Sequence, residues 1–149
     1  MVSKTPVKHS IVFDSILSAA DEACAGVLSE LKTNNFSSDD IFAVHLALQE
    51  AFINAVKHGN KLNADKKIKI KYSVSADKIE IRVSDQGQGF EPENVKDPRC
   101  GENLLKTDGR GLFLIRSYMD EVRFNKRGNC MHIVKYKSKS CSKENKNFK

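Results

Sequence analysis

Apolar and charged positions alternate most strictly in the stretch KIKIKYSV. There Ile68, Ile70, Tyr72 and Val74 share one face, and Lys67, Lys69 and Lys71 share the other. After a turn at residues 75–78, Ile79, Ile81 and Val83 alternate with Glu80, Arg82 and Ser84. A period of two with one apolar face predicts half-buried antiparallel strands joined as a hairpin. Ser10 to Phe13 (SIVF) is a short strand candidate, and a closing hairpin is expected from Val122 to Asn125 and Cys130 to Tyr136, around Arg127-Gly128-Asn129. Helical spacing appears from Leu17 to about Lys32 and again from about Ser38 to His58, which stops at Gly59-Asn60. Ser37 followed by Asp40 resembles a capping box at the start of that second helix. A glycine-punctuated stretch from Asp85 leads to a last helix near Gly111, with Leu112, Ile115 and Met119 on one face. Helices and antiparallel hairpins without a regular βαβ alternation predict an α+β fold. We expect a two-layer sandwich, a mostly antiparallel sheet with helices on one face.

Three polar placements depart from that plain pattern. On the 38–58 helix, at about 100° per residue, Ile41, Val44, Leu48, Phe52, Ala55 and Val56 form one apolar arc. Glu50 and Asn54, one turn apart on the opposite side, sit among Ala43, Leu46, Ala47 and Ile53. A helix apolar nearly all round is covered on both sides, so these two polar groups need partners. An internal ion pair or cap would satisfy them. So would a cleft in which Glu50 handles a proton and Asn54 holds a hard cation through its amide oxygen. Asp85 continues the apolar face of the 79–83 strand and precedes Gly87 and Gly89. Asp before Gly is a common turn former. An acid under the sheet followed by glycines also suits a pocket floor, its carboxylate accepting from an exocyclic amino group. Finally, Gly109-Arg110-Gly111 opens the last helix, where free backbone N–H groups meet phosphate oxygens.

Composition changes this picture little. The chain has 149 residues, room for one core, with 40% hydrophobic and 30% charged residues. No apolar run approaches the ~20 residues that span a bilayer, and the opening MVSKTPVKHS lacks a signal-peptide core, so a cytoplasmic protein without membrane association is expected. Cys24, Cys100, Cys130 and Cys141 lack ligand spacing and read as free thiols. The net charge of +6 is concentrated at the end, where residues 137–149 (KSKSCSKENKNFK) carry five Lys and one Glu. We therefore divide the chain into a domain at 1–136 and a basic, disordered tail at 137–149, and expect no direct nucleic-acid contact.

Taken in order, Glu50-x-x-x-Asn54-x-x-x-His58-Gly59-Asn60, Asp85-x-Gly87-x-Gly89-Phe90 and Gly109-Arg110-Gly111-Leu112 resemble the N, G1 and G2 boxes of the GHKL ATPases, over roughly residues 41–136. Within that superfamily, GRGLFLIRSYMDEV (109–122) and the N-terminal strand-helix-helix layout are similar to the anti-sigma-factor serine/threonine kinases. The resemblance implies the histidine-kinase-like ATPase fold, with ATP and Mg²⁺ as ligands. It implies that Asn54 coordinates Mg²⁺, that Asp85 selects adenine, and that Gly87 and Gly89 shape the nucleotide pocket. Gly109, Arg110 and Gly111, with Leu112 beside them, would line the phosphates, and Glu50 would be the catalytic base. His58 falls in the N box, although a locally bonded helix-ending histidine explains it equally well. Residues between Phe90 and Gly109 would form a lid, short for the group, and include Lys106 and Thr107, either of which could reach phosphate, although plain solvent-exposed lid residues are the simpler reading. The partners so implied are a STAS-type anti-anti-sigma protein as phosphoryl acceptor and a sigma factor to be held off, and homodimer formation fits the family. A partner-sequestering ATP binder without useful catalysis is the alternative. A detached sensor-histidine-kinase catalytic domain ranks below both, and chaperone or topoisomerase functions need transducer domains larger than this chain holds.

Overall fold

A computed structural model describes residues 7–87 and 109–138. Its elements follow in chain order as β1 (Val7–Asp14), a 3-10 turn (Leu17–Ala19), α1 (Ala20–Thr33), α2 (Ser38–Asn54) and a π turn (Ala55–Gly59). Then come β2 (Lys67–Val74), β3 (Lys78–Ser84), α3 (Gly109–Tyr118), β4 (Glu121–Phe124) and β5 (Cys130–Tyr136). The strands form one sheet in the order β1-β2-β3-β5-β4, every pair antiparallel. The expected α+β sandwich is the observed architecture.

The alternation decides which face is covered. Ile68, Ile70, Tyr72 and Val74 of β2 and Ile79, Ile81 and Val83 of β3 are buried, while Lys67, Lys69 and Lys71 are exposed. The buried face packs against Val27 and Leu31 of α1, Val44, Leu48 and Phe52 of α2, and Ile115 of α3. Removing such side chains from water contributes about 1.5–3 kcal/mol each. Cys24 joins this core, where burial and the neighbouring Asp21 charge push its thiol pKa up to about 12.

Where boundaries differ from the sequence reading, partner geometry explains it. β1 is longer than Ser10 to Phe13, because it pairs with β2 along its whole length, from Val7 opposite Val74 to Asp14 opposite Lys67. Its alternation is disguised. Inward-facing His9 is polar and stacks on Tyr72 (ring centroids 4.6 Å apart), while outward-facing Val12 is apolar and 54% exposed. The long helix keeps α geometry only to Asn54. Beyond it the Asn60 N–H bonds five residues back to the Ala55 carbonyl (2.8 Å), which widens the last turn. Lys61 and Leu62 then adopt left-handed φ of 53° and 62° and turn the chain toward β2.

The capping-box reading holds in one half. Ser37 Oγ accepts from the Asp40 N–H (3.0 Å) at the start of α2. The Asp40 carboxylate is engaged elsewhere, accepting from the Ser138 N–H (2.8 Å) and the Ser138 hydroxyl (2.6 Å). Thus the first two residues of the basic tail are fastened to the body. Lys137 donates its N–H to the Asp77 carbonyl (2.7 Å) and holds its ammonium 5.3 Å from the centre of the Phe36 ring.

Candidate functional site

Two close approaches build the site. In the first, the side of α2 away from the sheet meets the beginning of α3. Glu50 and Asn54 are half-buried there. A methyl group placed on Gly111 would lie 2.7 Å from Glu50 Oε1 and 3.5 Å from Asn54 Oδ1. Only a residue without a side chain lets the helix backbone come so near both polar groups. The carboxylate and the amide thus converge on the first turn of α3, where backbone N–H groups lack helical partners.

In the second, the π turn meets the end of β3. A methyl on Gly59 would run into both oxygens of the Asp85 carboxylate, and one on Gly87 would run into the Gly59 carbonyl. Asp85 Oδ1 accepts from the Gly87 N–H (2.8 Å), so the turn-forming reading of this aspartate is correct for one oxygen. Burial pushes the Asp85 pKa above the usual carboxylate range, against the lowering effects of the Gly87 bond and the Lys66 charge. A desolvated carboxylate with remaining acceptor capacity is suited to an amino-group donor.

The turn at residues 85–87, after β3, is held from two sides. The Asn129 carbonyl, in the β4–β5 turn, accepts from the Asp85 N–H (2.9 Å), and the Asn129 amide reaches the Gly87 carbonyl (3.5 Å). Asn125 Oδ1 orders that turn by accepting from the N–H groups of Gly128 (2.7 Å) and Asn129 (3.0 Å). On the other side Asn60, 0% exposed, accepts the Gln86 N–H at Oδ1 (2.8 Å).

The structure therefore brings Glu50, Asn54 and Gly111 to one place, and Asp85 and Gly87 to another, with the C-terminal half of α2 and its π turn running between. Leu112 is half-buried next to the first cluster, and His58 is exposed in the π turn. Gly109 and Arg110 open α3. Gly89, Lys106 and Thr107 lie outside the described residues. The sequence reading took Gly59 and Asn60 only as a helix stop and the tail of a box. The signal for more was the amide directly after the glycine, at a point where a helix merely ending requires neither burial nor three bonds.

A hard cation fits the first cluster chemically. Among the described residues no three His, Cys, Asp or Glu side chains gather as a metal-holding group. Magnesium in phosphoryl-transfer sites commonly uses one or two protein oxygens and completes its shell with substrate phosphates and water. The Asn54 amide oxygen is such a ligand.

Comparison with known proteins agrees with this geometry. Residues 13–135 match the family described as the histidine kinase-like ATPase domain. Over 117 residues the chain is 35% identical to serine-protein kinase RsbW of Listeria innocua, covering 74% of both chains. It is 38% identical to serine-protein kinase RsbW of Staphylococcus epidermidis, covering 73% of this chain and 74% of the relative. A crystal structure of the RsbU and RsbW domains of a Mycobacterium tuberculosis protein shares the fold, with a TM-score of 0.60 and 17% identity. That match covers 88% of this chain and 32% of the larger one. With glycine backbones set against an acid and an amide on one helix, the chain belongs to the histidine kinase-like ATPase family, among the ATP-binding serine-protein kinases of the RsbW, anti-sigma type.

Proposed function

We propose that the chain transfers the γ-phosphoryl group of ATP to a serine or threonine hydroxyl of a small STAS-type anti-anti-sigma protein. It also sequesters a sigma factor, so that nucleotide and partner together set a transcriptional switch. The observation that carries this reading is the convergence of Glu50 and Asn54 on the Gly111 backbone. A nucleotide binder that merely sequesters has no use for the acid. Glu50 takes the proton of the attacking hydroxyl as the oxygen bonds to phosphorus and the bond to the ADP leaving group breaks. Asn54 holds Mg²⁺, which when bound neutralises phosphate charge. The N–H groups at the start of α3, from Gly109 to Gly111, meet the phosphate oxygens, and Asp85 accepts from the adenine amino group beside Gly87 and Gly89. Lys106 and Thr107, outside the described residues, are proposed as further phosphate contacts. A cytoplasmic location and a homodimer belong to the same proposal. No helix among the described residues is long and apolar enough to cross a membrane.

Glu50→Ala should keep Mg·ATP binding and lose phosphoryl transfer by about 10²–10⁴-fold, the usual contribution of a positioned base. Asn54→Ala should lose Mg·ATP binding itself. Calorimetry with Mg·ATP and transfer of labelled phosphate to the partner measure the two effects. Equal affinity in Asn54→Ala and the parent would refute the metal role. Tight nucleotide binding by the parent with no transfer would leave sequestration as the function.

A further inference from the structure

Two amides outside the proposed catalytic and nucleotide-contacting set form a closed hydrogen-bonded ring with a strand backbone. Asn60 Nδ2 donates to the Lys67 carbonyl (3.1 Å), the Lys67 N–H donates to Gln86 Oε1 (2.7 Å), and the Gln86 N–H donates to Asn60 Oδ1 (2.8 Å). Asn60 Nδ2 also donates to Ser15 Oγ (2.9 Å), in the chain just after β1. The amide orientation of Asn60 is fixed by its surroundings. Its Nδ2 faces two acceptors and its Oδ1 faces an N–H, so the reverse orientation sets like against like.

The corners of this ring are informative. Asn60 follows Gly59 at the end of the π turn, Lys67 begins β2, and Gln86 lies between Asp85 and Gly87. The tight packing of Gly59 against Asp85 and Gly87 brings the two segments into contact. Van der Waals contact alone, however, lets one slide over the other. Directional bonds to the peptide next to Asp85 remove that freedom. The Asn129 bond to the Asp85 N–H holds the opposite side.

We infer that Asn60 and Gln86 are positioning residues that hold the Asp85 carboxylate at a fixed place beside α2 and thereby set discrimination between adenine and guanine nucleotides. The inference rests on the adenine-reading role proposed for Asp85. A guanine base presents a carbonyl where adenine presents its amino group, so a fixed carboxylate rejects it. A carboxylate free to shift accepts less well from the adenine amino group, so the preference for adenine falls.

Gln86 is exposed, so its replacement does not empty a buried site. Gln86→Met removes the acceptor for the Lys67 N–H, and Gln86→Glu restores an acceptor at the same reach. Competition binding of ATP and GTP to the full chain, with Mg²⁺ present, reads the effect. Gln86→Met should weaken ATP about 3- to 10-fold, the scale of one neutral hydrogen bond, with GTP unchanged within a factor of about two. Gln86→Glu should recover the parent ratio. Asn60→Ala, if folded by circular dichroism, should lower the ATP-to-GTP ratio at least as far. A parent that prefers ATP, with Gln86→Met showing the same ratio or losing both nucleotides equally, overturns the positioning role and leaves Asp85 as the adenine reader. A parent that does not discriminate overturns the Asp85 role and the inference together.

Discussion

Asp85 carries two opposed demands. Its carboxylate is desolvated beneath the sheet, which raises its pKa, and the proposed contact with adenine needs it ionised. A raised folded-state pKa means the folded protein holds that proton more tightly than the unfolded chain does. The resulting stabilisation is fully present below the unfolded-state pKa and lost as pH rises through the raised folded value. At neutral pH the ionised group is therefore a cost to the fold. Asp85→Asn keeps an oxygen for the Gly87 N–H and removes the charge. The nucleotide-free variant should melt at a higher temperature than the parent at pH 7 and bind ATP about 1–3 kcal/mol more weakly. In the parent, ATP affinity should begin to fall with decreasing pH above the range of an ordinary carboxylate. Thermal scans and calorimetric titrations across pH check both signs, and a variant both less stable and equally tight would contradict the assignment.

At the level of elements, the strands show what a sequence pattern can convey and what it cannot. β2 and β3 were legible because their outward positions are lysines, arginine and glutamate against inward isoleucines, a contrast the pleat enforces. β1 was half-legible, since an inward histidine finds an aromatic partner only once Tyr72 is set beside it. The π turn at 55–59 was not legible, because the bond that widens it depends on Asn60 being drawn toward Ser15 and Lys67. Gly111 belongs to this scale as well, for its meaning lies in the packing of α3 on α2. Alanine is the better helix former by about 0.5–1 kcal/mol, so Gly111→Ala should leave the melting temperature unchanged or higher. Its methyl group would lie 2.7 Å from Glu50 Oε1 and push the carboxylate aside. Phosphoryl transfer at saturating ATP should fall at least about tenfold, below the ~10²–10⁴-fold lost when a general base is removed outright. A stable variant with parental turnover would show that Glu50 reaches its task without this contact.

Across the whole molecule, the candidate site was legible to the extent that its residues carry unusual chemistry for their positions. An acid and an amide on a covered helix, and an acid on an apolar strand face, are costly without a purpose, and their pairing with distant glycines followed from the order of three boxes. The connections that hold these parts in place were less legible, since Asn60, Gln86 and Asn129 are ordinary turn residues until the fold sets them against one another. The same is true of the chain's end. Composition alone assigned everything after Tyr136 to a solvated tail, yet Asp40, 2% exposed, has both carboxylate oxygens bonded to Ser138. A buried carboxylate deprived of its donors costs about 1–3 kcal/mol or more. Truncation after Ser138 should therefore leave stability at the parental value, while truncation after Tyr136 should lower it by about that amount. ATP affinity should be the same in both, because Asp40 sits in the first turn of α2, whereas Glu50 and Asn54 lie in its last two. Denaturant melts of the two truncated chains make the comparison. Equal midpoints would mean that water replaces Ser138 at no cost, and that the fold ends where the charge pattern places it.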